Sequence, residues 1–153
     1  MKNYRNVVLK IGSALLNEVN LNVKDFIDSI CKQIKTAMDS GVKFTIVTSG
    51  AINEGQQILR INKRPEQLEI LQAMAAIGQQ SLMRRYEHSF KELDCFTAQV
   101  LLTHDDMNDP NKFLNAKATL SKLLELKTVP IINENDVVAT EEIRFGDNDT
   151  LAG

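Results

Sequence analysis

Four short apolar runs, residues 7–11, 42–47, 95–102 and 129–132, stand apart along this chain, each rich in β-branched or aromatic residues. Such runs read as buried strands. Stretches long enough for helices lie between them. Parallel strands need crossovers of a dozen or more residues, and only an alternating order supplies them. The pattern therefore predicts an α/β fold with a mainly parallel sheet.

The intervening stretches have helical periodicity. In 22–40, Phe26, Ile27, Ile30, Cys31, Ile34 and Met38 share one face, Asn22 is placed as an N-cap, and Gly41 as the residue that ends the helix. A second helical segment runs from Ala51 toward Leu59. Pro65 suits the first position of a helix that reaches about Leu93. Its stripe is Leu68, Leu71, Ala75, Gly78, Leu82 and Tyr86, and the run Ala73-Met-Ala-Ala76 with Gly78 thins it. A thin face permits close packing on a sheet or a second helix, with a subunit interface as the other use. Asp109 caps a further helix with Pro110 at its first position, and Phe113, Ala116, Leu120, Leu123 and Leu124 form its expected buried face. No linker, low-complexity segment or internal repeat divides the chain, which predicts a single domain over 1–153.

The totals exclude several classes. A formal net charge of -2 gives no electrostatic footprint for nucleic acid. The apolar stretch after Asn6 is too short for a signal peptide or a membrane span. The two cysteines, Cys31 and Cys95, fit free thiols in a reducing compartment better than a disulfide framework. The expectation is a cytoplasmic protein.

Chemistry gathers at element ends. The run at 129–132 leads into Asn133, Glu134, Asn135 and Asp136, and a second cluster, Asp147, Asn148 and Asp149, follows Gly146. Buried acids are costly unless paired or bound to cations, so these clusters suggest a ligand site beyond the carboxyl ends of the strands. The plainer alternative is two polar turns joined by a hairpin over 137–145. Pro130 places its strand's start near a sheet edge or strand end. Lys10 lies inside the first apolar run. It is either an edge-strand charge that discourages aggregation or a point charge for a phosphoryl group. Gly12 and Ser13 follow, a turn whose N–H groups could face phosphate oxygens, without the Gly-Lys-Ser/Thr ending of a Walker A loop. Thr48-Ser49-Gly50-Ala51 is either an anion-binding strand-to-helix turn or an ordinary one with Ser49 as cap. His104 beside Asp105 and Asp106 invites a metal or acid–base reading. The only other histidine is His88 and no cysteine lies near, so a solvated connection is expected and no metal ligand is assigned.

Asn133-Glu-Asn-Asp136 with Phe145-Gly-Asp-Asn-Asp149 resembles the signature of the glutamate 5-kinases, within the amino-acid kinase superfamily. The likeness extends over essentially the whole chain. It includes Lys10 to Ser13, the loop Ser49-Gly-Ala-Ile-Asn-Glu-Gly55, the helix with Gln72-Ala73 and Gly78-Gln79, and the segment Phe113 to Leu120. The loop Asp106-Met-Asn-Asp-Pro-Asn-Lys112 departs from the family by lacking an arginine. The resemblance implies a three-layer αβα sandwich. It also implies ATP-dependent phosphorylation of the side-chain carboxylate of L-glutamate to glutamate 5-phosphate, the first step of proline biosynthesis. Carried over by position, Lys10 and Asp149 are catalytic, and Ser49, Asp136 and Asn148 hold glutamate. Lys10, Gly12 and Ser13 would meet ATP phosphates, with Mg2+ accompanying ATP. A homo-oligomer without nucleic-acid or membrane partners is implied as well. Family members continue past the position of Gly153 with an adenine pocket and a second phosphate-contacting lysine. The expectation is therefore the amino-acid-binding part of the fold with the nucleotide-binding part missing, and activity of this stretch alone is not implied. The rival readings are another phosphotransferase of the superfamily and a non-catalytic glutamate-binding module.

Overall fold

A computed structural model describes residues 5–13, 15 and 23–139. In chain order these form β1 (Asn6–Ile11), α1 (Val23–Asp39), β2 (Lys43–Thr48), α2 (Ala51–Ile58), α3 (Leu68–Lys91), β3 (Phe96–Leu102), α4 (His104–Asn108), α5 (Pro110–Glu125) and β4 (Thr128–Glu134). The four strands are parallel, in the order β1-β2-β4-β3. This is the expected α/β class.

Handedness then dictates the layers. Crossovers between parallel strands are right-handed. The steps from β1 to β2 and from β2 to β3 run in one direction across the sheet, so α1 and α3 share a face. The step from β3 back to β4 runs the other way and sends α5 to the opposite face. Two cores follow. Leu9, Ile11, Ile46, Val129 and Ile131 pack against Ile27, Cys31 and Ile34 of α1 and Leu82, Tyr86 and Phe90 of α3. Val47, Ile132, Val100 and Leu102 meet Met107 and Leu120 on the other side. Helix, sheet and helix make the three layers.

Local signals act where the sequence placed them. Gly41 has φ 88, a left-handed backbone that only glycine takes without strain. The Gly41 N–H donates to the Met38 carbonyl and the Val42 N–H to the Ala37 carbonyl, which closes α1 in a Schellman motif. Asp109 accepts from the backbone N–H groups of Asn111 at 2.8 Å and Lys112 at 3.0 Å, with Pro110 opening α5. The expected cap Asn22 lies outside the described residues.

Two expectations are corrected and one is narrowed. Of the two places open to Pro130, a sheet edge or a strand end, the structure has the second: β4 lies between β2 and β3, and Pro130 is near its start, in register with Ala98. It is tolerated because the ladder to β2 begins one residue later, at Ile131. Pro65 does not start a helix. α3 begins at Leu68 behind an extended Gln67, where the apolar stripe begins. Phe113 is 40% exposed, and α5 rests on the sheet through half-buried Ala116, Leu120, Leu123 and Leu124.

The thin stripe of α3 packs on a helix. A Cβ on Gly78 would stand 1.8 Å from the Ala51 carbonyl oxygen, and one on Gly55 would stand 1.9 Å from that of Met74. The backbones of α2 and α3 are thus in direct contact, with Ile52, Leu71, Met74 and Ala75 sealing the seam. Neither obstructing atom is a side chain that can swing away. Gly78→Ala is expected to cost about 3 kcal/mol by overpacking. That loss corresponds to a melting temperature lower by roughly 6–12 °C. A thermal melt checks it; an unchanged melting temperature would show that the two helices separate freely.

Candidate functional site

A parallel sheet brings all its carboxyl ends to one side, and three polar residues are buried there. Thr48 and Ser49 end β2, at 0% and 8% exposure, and Asn133 nears the end of β4 at 1%. Buried polar groups need partners. Thr48 shares a 3.0 Å hydrogen bond with the Tyr86 hydroxyl of α3. Burial pushes that hydroxyl up to about 12, so it stays protonated.

Ser49 is not a helix cap, which corrects the plainer reading of this turn. The N-cap of α2 is Gly50, at φ 99, with no side-chain cap bond. The Ser49 hydroxyl instead donates to the Ile11 carbonyl oxygen at 3.3 Å. This bond ties the turn after β2 to the end of β1, where Gly12 follows. Among the described residues nothing stands within 4 Å of where a Gly12 Cβ would be, so that face of the backbone is open. Ser13 follows, half-buried. Lys10 is exposed on β1, opposite Val47, at an edge of the described sheet. Glu54 anchors α2 from behind: its Oε1 accepts from Ser81 at 2.7 Å and from Arg85 Nη2 at 2.7 Å.

Beyond β4 the chain turns sharply. The Asn135 N–H donates to the Leu102 carbonyl at 2.8 Å and the Val138 N–H to the Asn135 carbonyl at 3.2 Å. Asp136 sits in this turn, half-buried. Burial, reinforced by the Glu134 carboxylate and opposed by Arg64, pushes its carboxyl up to about 6. A carboxylate held this way gains from a cation brought to it. Asn148 and Asp149, with the rest of the second polar cluster, lie outside the described residues, as does most of the 137–145 segment.

The connection after β3, expected to be solvated, is a short helix with no buried residue, with Asp105 exposed and His104 partly covered. Thr103 and Asp106 form a reciprocal capping box that opens α4. Lys112 bridges Asp106 at 2.9 Å and holds its carboxyl below the usual range. His104 Nδ1 lies 3.5 Å from Glu134 Oε2, with both side chains largely covered. A cleft of about 380 Å3 opens between this corner and Asn135. Two larger grooves, of about 500 and 490 Å3, run past Asp94 and Cys95 near the amino ends of the strands. No such set of buried polar residues converges on them, so the carboxyl ends are the better candidate on chemistry. Among the described residues no group of three or more His, Cys, Asp or Glu side chains is placed to hold a metal ion. Both cysteines are free, and burial pushes the Cys31 thiol up to about 12, which makes it unreactive. Among the described residues no helix is long and apolar enough to cross a membrane.

Ser49, Gly12, Ser13, Lys10 and Asp136 thus come to one end of the sheet or just before it. Sequence reasoning assigned no role to Gln72 and Gln79 of α3, whose side chains reach Ala139 beyond β4 and Asn133 near the end of β4. Their seven-residue spacing, which puts two amides on one helix face, is the signal that was available.

Comparisons with known proteins bear on the family. The chain matches the Amino acid kinase family over residues 5–153. It is 47% identical over 152 residues to the glutamate 5-kinase of Aromatoleum aromaticum, covering 99% of this chain and 41% of that protein. The glutamate 5-kinase of Hydrogenovibrio crunogenus is 48% identical over 149 residues, 97% of this chain and 40% of its own length. That of Pseudomonas fluorescens is 48% identical over 146 residues, 95% and 39%. The chain therefore spans about two fifths of the length of the curated relatives it matches.

Proposed function

The chain belongs to the amino acid kinase family, and we propose that it supplies the amino-acid-binding part of an ATP-dependent glutamate 5-kinase. The observation that carries this reading is Asp136: a half-buried carboxylate, raised by its surroundings, in the turn after a central strand. That is the group an α-ammonium would satisfy. The names of the relatives support glutamate as the acceptor and phosphoryl transfer as the reaction.

In this reading one side-chain carboxylate oxygen of glutamate attacks the γ-phosphorus of ATP in line. The bond from that phosphorus to the β,γ-bridging oxygen breaks, ADP leaves, and an acyl phosphate forms. Both partners are anionic, so positioning and charge neutralisation do most of the catalysis. Asp136 takes the ammonium, and the Ser49 hydroxyl and Asn148 amide suit the carboxylates. Lys10 offsets charge on the transferring group, and the backbone N–H groups of Gly12 and Ser13 are donors suited to phosphate. Asp149 would organise the cationic groups around the phosphoryl. Magnesium would arrive on the phosphates of ATP, keeping several waters of its own. The remaining length of the relatives is where the nucleotide-binding part would lie. The setting proposed is cytoplasmic, in a homo-oligomer, on the route to proline, with no nucleic-acid partner.

The test is chemical. An acyl phosphate reacts with hydroxylamine. The intact protein, given ATP, magnesium and L-glutamate, is expected to yield the γ-hydroxamate in step with ADP. Glutamate-dependent ADP release without hydroxamate would overturn the reading. So would glutamate binding with no turnover, which is the behaviour of a non-catalytic module.

A further inference from the structure

We propose that Gln79 is a positioning residue for the amino-acid substrate, acting through Asn133 on the turn that carries Asp136. The proposal rests on the glutamate-kinase reading of that turn. Asn133 Nδ2 donates to Gln79 Oε1 at 2.7 Å, and Gln79 Nε2 donates to Gln99 Oε1 of β3 at 3.2 Å. Gln79 thus joins Asn133 of β4 to Gln99 of β3. Two helical turns earlier on the same helix, Gln72 Nε2 donates to the Ala139 carbonyl at 2.9 Å. α3 therefore holds the segment 133–139 at both ends, with Asp136 between.

Neither glutamine is needed for the apolar core. The seam of α3 is sealed by Leu71, Met74, Ala75 and Gly78, and its sheet contact by Leu82, Tyr86 and Phe90. An amide placed beside a buried strand end, rather than an apolar side chain, specifies orientation. A displacement of about 1 Å in a positioning group can cost about 100-fold in rate. Losing Gln79 would remove the tie between α3 and Asn133 and let the turn shift with it.

The experiment measures glutamate and ATP KM values with the intact protein and Gln79→Met, which keeps length and flexibility without the amide. Glutamate KM is expected to rise about 10-fold or more, with ATP KM within about twofold. On an Asp136→Asn background the same substitution should add less than about twofold, because residues acting through one group are non-additive. Ser89→Ala, which removes a hydrogen bond between α3 and Asp28 of α1, is the control for general loosening of the helix and should leave glutamate KM unchanged. If Gln79→Met does not fold, Gln72→Met decides, with a smaller rise in glutamate KM expected. An unchanged glutamate KM in the folded variant, equal rises in both KM values, or full additivity with Asp136→Asn would overturn the inference alone. A wild-type protein that does not phosphorylate glutamate would overturn the reading beneath it as well.

Discussion

Lys10→Ala in the intact protein is expected to lower kcat about 100- to 1,000-fold, the usual loss when one preorganised charge on a developing anion is removed. Glutamate KM should change little, because the lost contact belongs to the transferring phosphoryl group and not to the acceptor. Stability should be nearly untouched: Lys10 is exposed on an outer strand of the described sheet, and surface substitutions usually fall within about 0.5 kcal/mol. The position itself is ambiguous, since a lysine on an edge strand also discourages edge-to-edge association. That alternative makes the opposite prediction, normal kcat with increased aggregation. Steady-state kinetics and light scattering on one variant separate the two.

Asp136→Asn is expected to raise glutamate KM by about 100- to 1,000-fold while ATP KM stays near its starting value. The substitution keeps the shape and removes the charge, so a bound ammonium would be left buried and unpaired, at a cost on the order of 3–5 kcal/mol. Stability should move the other way. The folded carboxyl titrates at about 6 against an ordinary 3.8. Between those values the folded state binds the extra proton, so stability is fully present below about pH 4 and is lost as pH rises through 6. At pH 7 the ionised Asp136 then costs the empty site about 2–3 kcal/mol, and Asn removes that cost. Melting temperature should rise at pH 7 and not at pH 4. Glutamate affinity of the wild type should fall as pH drops below 6, about tenfold per unit, as Asp136 takes up its proton. A lower melting temperature with unchanged glutamate KM would assign Asp136 to the turn and not to a ligand.

How much of this was legible depended on whether the cause was local. The end of α1 and the start of α5 were, because Gly41 and Asp109-Pro110 act through their own neighbours' backbone groups. That the thin stripe of α3 packs closely was legible, but its partner, α2 rather than the sheet or another subunit, was not. The place of β4 was not. Pro130 left a sheet edge and a strand end both open, because strand order is set by pairing between distant segments, and Pro130 precedes the β2 ladder. One of the two readings of the turn after β2 made Ser49 a cap, because caps are the common use of serine at a helix start. Gly50 took that role instead and released the hydroxyl to reach β1, 38 residues away in sequence. The corner at His104 read as solvent-facing because charged residues usually are, and its partners Glu134 and Lys112 are brought in by the fold. Within the candidate site, the resemblance named Lys10, Gly12, Ser13, Ser49 and Asp136, and the structure brings these to one end of the sheet or just before it. The ties that hold them, Ser49 to Ile11 and Gln79 to Asn133, required coordinates.

The most direct test of the central claim is acceptor choice by the intact protein. L-Glutamate and N-acetyl-L-glutamate carry the same side-chain carboxylate and differ at the α-nitrogen. If Asp136 receives an ammonium, L-glutamate is phosphorylated and N-acetyl-L-glutamate, offered at the same concentration with ATP and magnesium, gives at most about a hundredth of its kcat/KM, the cost of a buried charge left without its partner. Equal turnover of the two acceptors, or preference for the acetylated one, would contradict the assignment of Asp136 and of the site built around it.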